Sequence, residues 1–292
     1  MSTPVLTLQD SLTRLTVAPE IGASLVNWVR LSDDLPLLRP SDDEALASAN
    51  PRKLACYPLV PWSNRIGGGG FDCPNGWLTL RANTSHEPLP IHGSAWQQPW
   101  QVIHQSEQAA TLELHSQVPF PYHARFDIAL HEGQLSLALY VTHQGEQPTW
   151  YGLGLHPYLP RTPATRLQAS ARSVWLCDDD KLSREHITIP ADWDFNEQRA
   201  LPQELVDNAF TDWNGQACII QPDHGYQLQC NTTDTNVYLL FCPTEQNFFC
   251  FEPVSHPVNA HHLPGRPGLV LLHRDQTTHL RYSLHYRPLP AS

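Results

Sequence analysis

Glu252 is the one formal charge in Asn247-Phe248-Phe249-Cys250-Phe251-Glu252-Pro253, a run of aromatic and apolar side chains. Such a run predicts a short strand buried on both faces or nearly so. An ionised carboxylate there is costly unless something pairs with it, and burial without a partner raises its pKa towards the range useful for proton transfer. A strand-end glutamate whose head group reaches water is the plain alternative. Three other places break the local pattern in the same way. In Tyr57-Pro58-Leu59-Val60-Pro61-Trp62-Ser63-Asn64-Arg65-Ile66, Arg65 ends a proline-stiffened apolar stretch, where a guanidinium can fork onto hydroxyls or a carboxylate. His92 in Ile91-His92-Gly93 sits beside a glycine that permits close approach of a ligand or another loop. His156 ends the glycine-spaced stretch Tyr151-Gly152-Leu153-Gly154-Leu155, and Pro157 stops it, placing the imidazole at a strand end.

Most of the 16 histidines must be incidental, and His261, His262, His224 and His285 are assigned to that background. The close His-x-His or Cys-x-x-Cys spacings that place metal ligands on one element are missing around His92, His156 and Glu252, so no metal is expected, and only distant ligands could converge. A cupin-like metalloprotein is the reading this disfavours. Gly67 to Gly70 is not a phosphate loop, because no Lys-Ser/Thr follows; it reads as a turn into a strand at Phe71. No G-x-S-x-G elbow is present. Glu252 and Asp207 remain open as a glycosidase pair, which their separation would decide.

The elements that must position these groups are strands. Period-two alternation recurs in short segments, as in Arg125–Leu130 and Leu135–Val141 joined through a turn containing Gly133. Further strands are expected at Ser24–Leu31, Trp77–Arg81, Trp100–His104, Thr111–His115, Val174–Cys177, Ala217–Gln221, Tyr226–Asn231, Val237–Cys242, Gly268–His273 and Leu280–Tyr286. Ser41–Ala47 predicts one or two helical turns with an acidic cap, and Pro202–Asp207 another single turn. Leu182–Phe210 is irregular and is expected to form long loops beside the sheets. Without a low-complexity linker, the 292 residues predict one all-β domain, a large antiparallel sandwich over residues 1–292.

The net charge of -11 disfavours nucleic-acid binding. No stretch approaches the roughly 18 apolar residues of a spanning helix, so no membrane partner is expected. The start Met1–Thr7 lacks the basic head and apolar core of a secretory signal, and the seven cysteines form no C-x-x-C pair. A cytoplasmic location with reduced thiols is the expectation.

Taken in order, Trp62-Ser63-Asn64-Arg65-Ile66, Ile91-His92-Gly93, Leu155-His156-Pro157-Tyr158, Leu205-Val206-Asp207-Asn208-Ala209-Phe210 and Phe251-Glu252-Pro253 resemble the motifs of the aldose 1-epimerase (galactose mutarotase) family, over about Val5 to Tyr286. Its compact bacterial branch is the nearest likeness. The resemblance implies a β-sandwich with a sugar cleft across one sheet, and no cofactor. It implies Glu252 as general base on the anomeric hydroxyl, His156 as general acid at the ring oxygen, and His92 assisting at that end. Arg65, Asp207 and Asn64 would hold sugar hydroxyls; Trp62 and Tyr158 are read either as an apolar face for sugar C–H groups or as ordinary core aromatics. The expected partner is a small-molecule monosaccharide, bound by a monomer or weak homodimer. Two rivals remain: a non-catalytic sugar-binding protein on the same fold, and a phosphosugar mutarotase that would draw on Arg52, Lys53, Arg65 and Arg81.

Overall fold

The computed structural model describes residues 4–290; Met1–Thr3 of the segment read as lacking a leader lie outside them. Two antiparallel sheets dominate. The first has nine strands, running in space from Arg199–Ala200 through Arg166–Ala169, Gln216–Gln221, Tyr226–Asn231, Thr277–Pro288, Gln134–His143, Tyr122–His131 and Ala109–Ser116 to Gln101–Gln105. Its central hairpin is set locally. Burial alternates strictly along Gln134–His143, and Glu132 and Gly133 both take positive φ (48° and 80°), as a tight two-residue hairpin turn requires. Register then pairs Gln134 with His131 and places Leu135, Leu137, Leu139 and Val141 on the inner face.

The second sheet has eight strands: Ser183–Thr188, Ser173–Cys177, Val206–Thr211, Val237–Cys242, Phe248–Val254, Gly154–Leu155 and Pro58–Leu59 in order, with Tyr158–Pro160 also paired to Phe248–Val254. One apolar cluster joins the two sheets: Leu112, Phe126, Leu137 and Leu284 from the first, Val174, Phe210, Leu240 and Phe251 from the second. A smaller cluster containing Tyr57, Tyr158, Leu239 and Cys250 lies on the other side of the second sheet. The Glu252 strand is therefore covered on both faces, with Phe249 and Phe251 turned to the main core and Cys250 to the smaller cluster. A strand covered on both faces reads as a continuous apolar run.

The expected strands and the helical turn are found. The helix spans Asp43–Ala47, and the Asp42 side chain caps it by accepting from the Ala45 N–H at 2.7 Å. Two expectations are corrected. Pro202–Asp207 is not a helical turn, because strand Val206–Thr211 begins within it and pairs with Val237–Cys242 on one side and Ser173–Cys177 on the other. Leu182–Phe210 is not a set of long loops: it contains strands Ser183–Thr188, Arg199–Ala200 and Val206–Thr211 and a 3-10 turn at Ala191–Trp193. Ser183–Thr188 is an exposed edge strand rich in polar residues, so its sequence carries no apolar alternation to read. All seven cysteines are free. Among the described residues no helix is long and apolar enough to cross a membrane.

Candidate active site

A cleft of about 300 Å³ opens on the face of the eight-stranded sheet that is turned away from the main core. Its lining gathers Asn64, Arg65, His92, His156, Tyr158, Asp207 and Glu252 from five separated stretches of chain. Ligand pockets start at about this volume, so the cleft suits a small molecule.

Glu252 sits in the middle of Phe248–Val254, opposite Leu239, and is 1% exposed. Its Oε1 lies 3.4 Å from His156 Nε2, while its Oε2 is buried without a hydrogen-bond partner. Burial raises its pKa well above the ordinary carboxylate range; the charge of Asp207 adds to this and Arg65 opposes it. His156 is fixed at backbone and ring. Its backbone N–H donates to the Tyr57 carbonyl (3.0 Å), and its ring packs against both Tyr57 and Tyr158 at centroid distances of 4.7 and 4.6 Å, the two tyrosine rings themselves being 6.3 Å apart. Burial takes its pKa down to about 3, and Nδ1 is left without a partner. Both shifts have the same cause: a closed, apolar surround disfavours either charge.

His92 and Asn64 clamp each other. The Asn64 N–H donates to His92 Nδ1 and the His92 N–H donates to the Asn64 carbonyl, both at 3.0 Å. With Nδ1 accepting, the proton of neutral His92 is left on Nε2, which makes that atom a donor. Burial lowers the His92 pKa well below the usual value, keeping the ring neutral. The neighbouring Gly93 makes the clamp possible: its φ is 64°, and a Cβ there would stand 2.0 Å from the Val60 carbonyl oxygen. The close approach is thus by another loop.

Arg65 donates through Nε to Glu87 Oε2 (2.8 Å) and through a terminal nitrogen to Asn64 Oδ1 (3.1 Å), with Asp207 Oδ2 3.9 Å away. Asp207 lies on Val206–Thr211, and its pKa is raised by burial against the pull of Arg65 and Lys181. Tyr158 flanks His156 on one side and carries the Arg39 guanidinium 3.6 Å above its other face.

Trp62 does not join this group. It is 3% exposed, belongs to the main core and meets His261 edge-on, so of its two readings the core aromatic holds. Residues not singled out from the sequence stand there instead, Tyr57 against His156, Glu87 on Arg65 and Lys181 on the wall, beside Arg52, which was named only for a phosphosugar. Tyr57 carried a faint signal, as a polar-tipped ring in an apolar stretch beside Arg65. Glu87 carried none, because the antiparallel bridge of Arg65 with Ile91 alone brings its segment alongside. Lys53 and Arg81 do not line the cleft.

His156, Cys250 and Glu252 each offer one ligand atom within 4.8 Å of the others, the convergence of distant residues that spacing cannot reveal. Burial pushes the Cys250 thiol well above its usual range, so a metal would have to displace its proton and would occupy the Glu252–His156 pair.

The aldose 1-epimerase family pattern matches residues 4–285. The uncharacterized protein YphB of Escherichia coli (strain K12) is 33% identical over 291 residues, covering 96% of this chain and 98% of that protein. The crystal structure of a candidate aldose 1-epimerase from Escherichia coli K12 superposes with a TM-score of 0.91 at 32% identity, over 98% of this chain and 99% of that one. A galactose mutarotase-like protein from Clostridium acetobutylicum shares the fold (TM-score 0.86) at 14% identity, over 98% of this chain and 95% of that one. A pattern spanning nearly the whole chain and a full-length relative at one-third identity lead to one statement: this chain belongs to the aldose 1-epimerase family.

Proposed function

We propose that the protein is a mutarotase, which interconverts the α and β anomers of a free aldose by acid–base opening and closing of the ring. The observation that supports this most is the Glu252–His156 pair, 3.4 Å apart on the cleft wall, each residue with its other side-chain polar atom buried and unbonded. In the closed sugar the C1 hydroxyl gives its proton to the Glu252 carboxylate while protonated His156 delivers one to the ring oxygen. The bond from C1 to the ring oxygen breaks and C1 becomes an aldehyde. Rotation about C1–C2 presents the other face, and the reverse transfers close the ring. Only protons cross between protein and sugar, so the reaction calls for no cofactor.

The pair starts as carboxylate and imidazolium and ends opening as carboxylic acid and imidazole. Burial favours the second state at both residues, and Arg65 offsets part of the cost of the first. The charged pair is thus the minor form from which opening starts, and opening relieves its burial cost; each positioned acid or base contributes about 10²–10⁴-fold. His92 Nε2–H donates at the ring-oxygen end, Arg65 and Asp207 hold ring hydroxyls, Asn64 fixes His92 and Arg65, and Tyr158 flanks the sugar.

Polarimetry over galactose, glucose, arabinose and fucose tests this. We expect at least one sugar to equilibrate faster than in buffer, and the acceleration to disappear in Glu252→Gln. Binding without acceleration across the panel would make the protein a sugar-binding member of the fold. A phosphorylated sugar is a second reading, favoured by Arg52 and Lys181 on the cleft wall. The same assay with hexose 6-phosphates decides between them.

A further inference from the structure

Glu113, His115 and His123 form a cluster on the outer face of the nine-stranded sheet, on the opposite side of the sandwich from the cleft. Glu113 and His115 are two apart on Ala109–Ser116, with Leu112 and Leu114 between and beside them turned into the core. His123, on Tyr122–His131, is the direct cross-strand neighbour of His115. One ligand atom from each of the three lies within 4.8 Å of the others.

His123 Nε2 is buried, has no hydrogen-bond partner and stands 3.4 Å from Glu113 Oε2. Two zinc bonds of about 2.0–2.1 Å at the tetrahedral angle hold their ligand atoms roughly 3.3–3.4 Å apart, a separation this pair matches. His115 stacks on His123 with centroids 4.4 Å apart. Its ring is exposed, so rotation of its side chain carries a nitrogen towards the other two ligand atoms. The surroundings leave the position free. Arg125, opposite Glu113 on one side, is engaged by Asp127 at 2.9 Å, and Tyr140 stands beyond it. Gln101 lies opposite Glu113 on the other side and Thr142 opposite His123, both neutral.

We propose that Glu113, His115 and His123 form a divalent transition-metal site of the zinc class, with water completing the tetrahedron. Two imidazoles and a carboxylate are borderline donors that suit zinc, with copper(II) binding more tightly in the same site. The metal would tie Ala109–Ser116 to Tyr122–His131 and stabilise the folded state by mass action.

The test is calorimetric titration of zinc into the chelator-treated full-length protein at pH 7.5, in wild type, His123→Gln, His115→Ala and a control, His279→Ala. We expect wild type and the control to take up one zinc ion that both cluster variants bind at least tenfold more weakly. Zinc should raise the Tm of wild type and not of His123→Gln, and visible absorption of bound cobalt(II) should have tetrahedral intensity only where the cluster is intact. Equal zinc stoichiometry and affinity in wild type and both cluster variants would overturn the proposal. Zinc taken up at His156, Cys250 and Glu252 would show instead as lost sugar turnover and would survive His123→Gln. Anomer exchange by the cluster variants should match wild type, so the outcome is independent of the proposed function.

Discussion

Burial sets the behaviour of Glu252 before any sugar is present. Its pKa is raised on folding, so the folded state holds the proton more tightly than the unfolded one. The stability this contributes is complete below the ordinary carboxylate value and is lost as pH rises through the folded value. Glu252→Gln removes that loss. The variant should therefore melt at a higher temperature than wild type in alkaline buffer, with the difference shrinking towards zero at pH 4; parallel Tm–pH curves would contradict this. At the same scale, Glu87 holds the Arg65 guanidinium, which the proposed reaction sets against the ring hydroxyls. Glu87→Gln should weaken sugar binding, raising KM about tenfold with a smaller change in kcat, as expected for an interaction common to ground and transition states. Steady-state kinetics on the best sugar checks the split. Glu252, His156, His92 and Arg65 were all legible because each is a polar break in an apolar stretch. Glu87 and Lys181 were not: each sits in a polar segment, where one more charge carries no signal.

Elements turn those residues towards one another. The strand carrying Glu252 is sandwiched between two apolar clusters, which is why its charge stood out in the sequence and also why it is desolvated. His92 depends on a different device, the contact of Gly93 with the Val60 carbonyl. Gly93→Ala places a methyl group where the carbonyl oxygen lies and strains a positive φ, so it should cost about 1–3 kcal/mol or more. We expect a lowered Tm together with loss of activity from a displaced His92; a Tm within a degree of wild type would show that the loop gives way freely. Strand positions were readable wherever one face was apolar. The exposed edge strand Ser183–Thr188 was missed for want of that alternation, and Trp62 stayed open between two readings because an aromatic in an apolar stretch fits a cleft wall and a core equally well.

Across the whole molecule, folding keeps several imidazoles neutral. Burial lowers the pKa of His156 to about 3 and that of His256 to about 4, and takes His92 and His261 well below the usual value. Their contribution is present above the ordinary imidazole pKa and is lost as pH falls through it towards the folded values. The urea midpoint should therefore drop between pH 6.5 and pH 4, and an unchanged midpoint over that interval would contradict the assigned burial. The same architecture puts the Glu252 cleft on one face of the sandwich and the His–His–Glu cluster on the other, so the two can be perturbed separately. The central claim is that Glu252 and His156 exchange protons with the sugar as one unit. NMR exchange spectroscopy at C1 of the fastest sugar, in wild type, Glu252→Gln, His156→Ala and the double variant, tests it most directly. Each single variant should fall to the rate in buffer and the double variant no lower, because residues acting as a pair are not additive. Wild-type exchange no faster than buffer with sugar bound, or single variants near the wild-type rate, would contradict it.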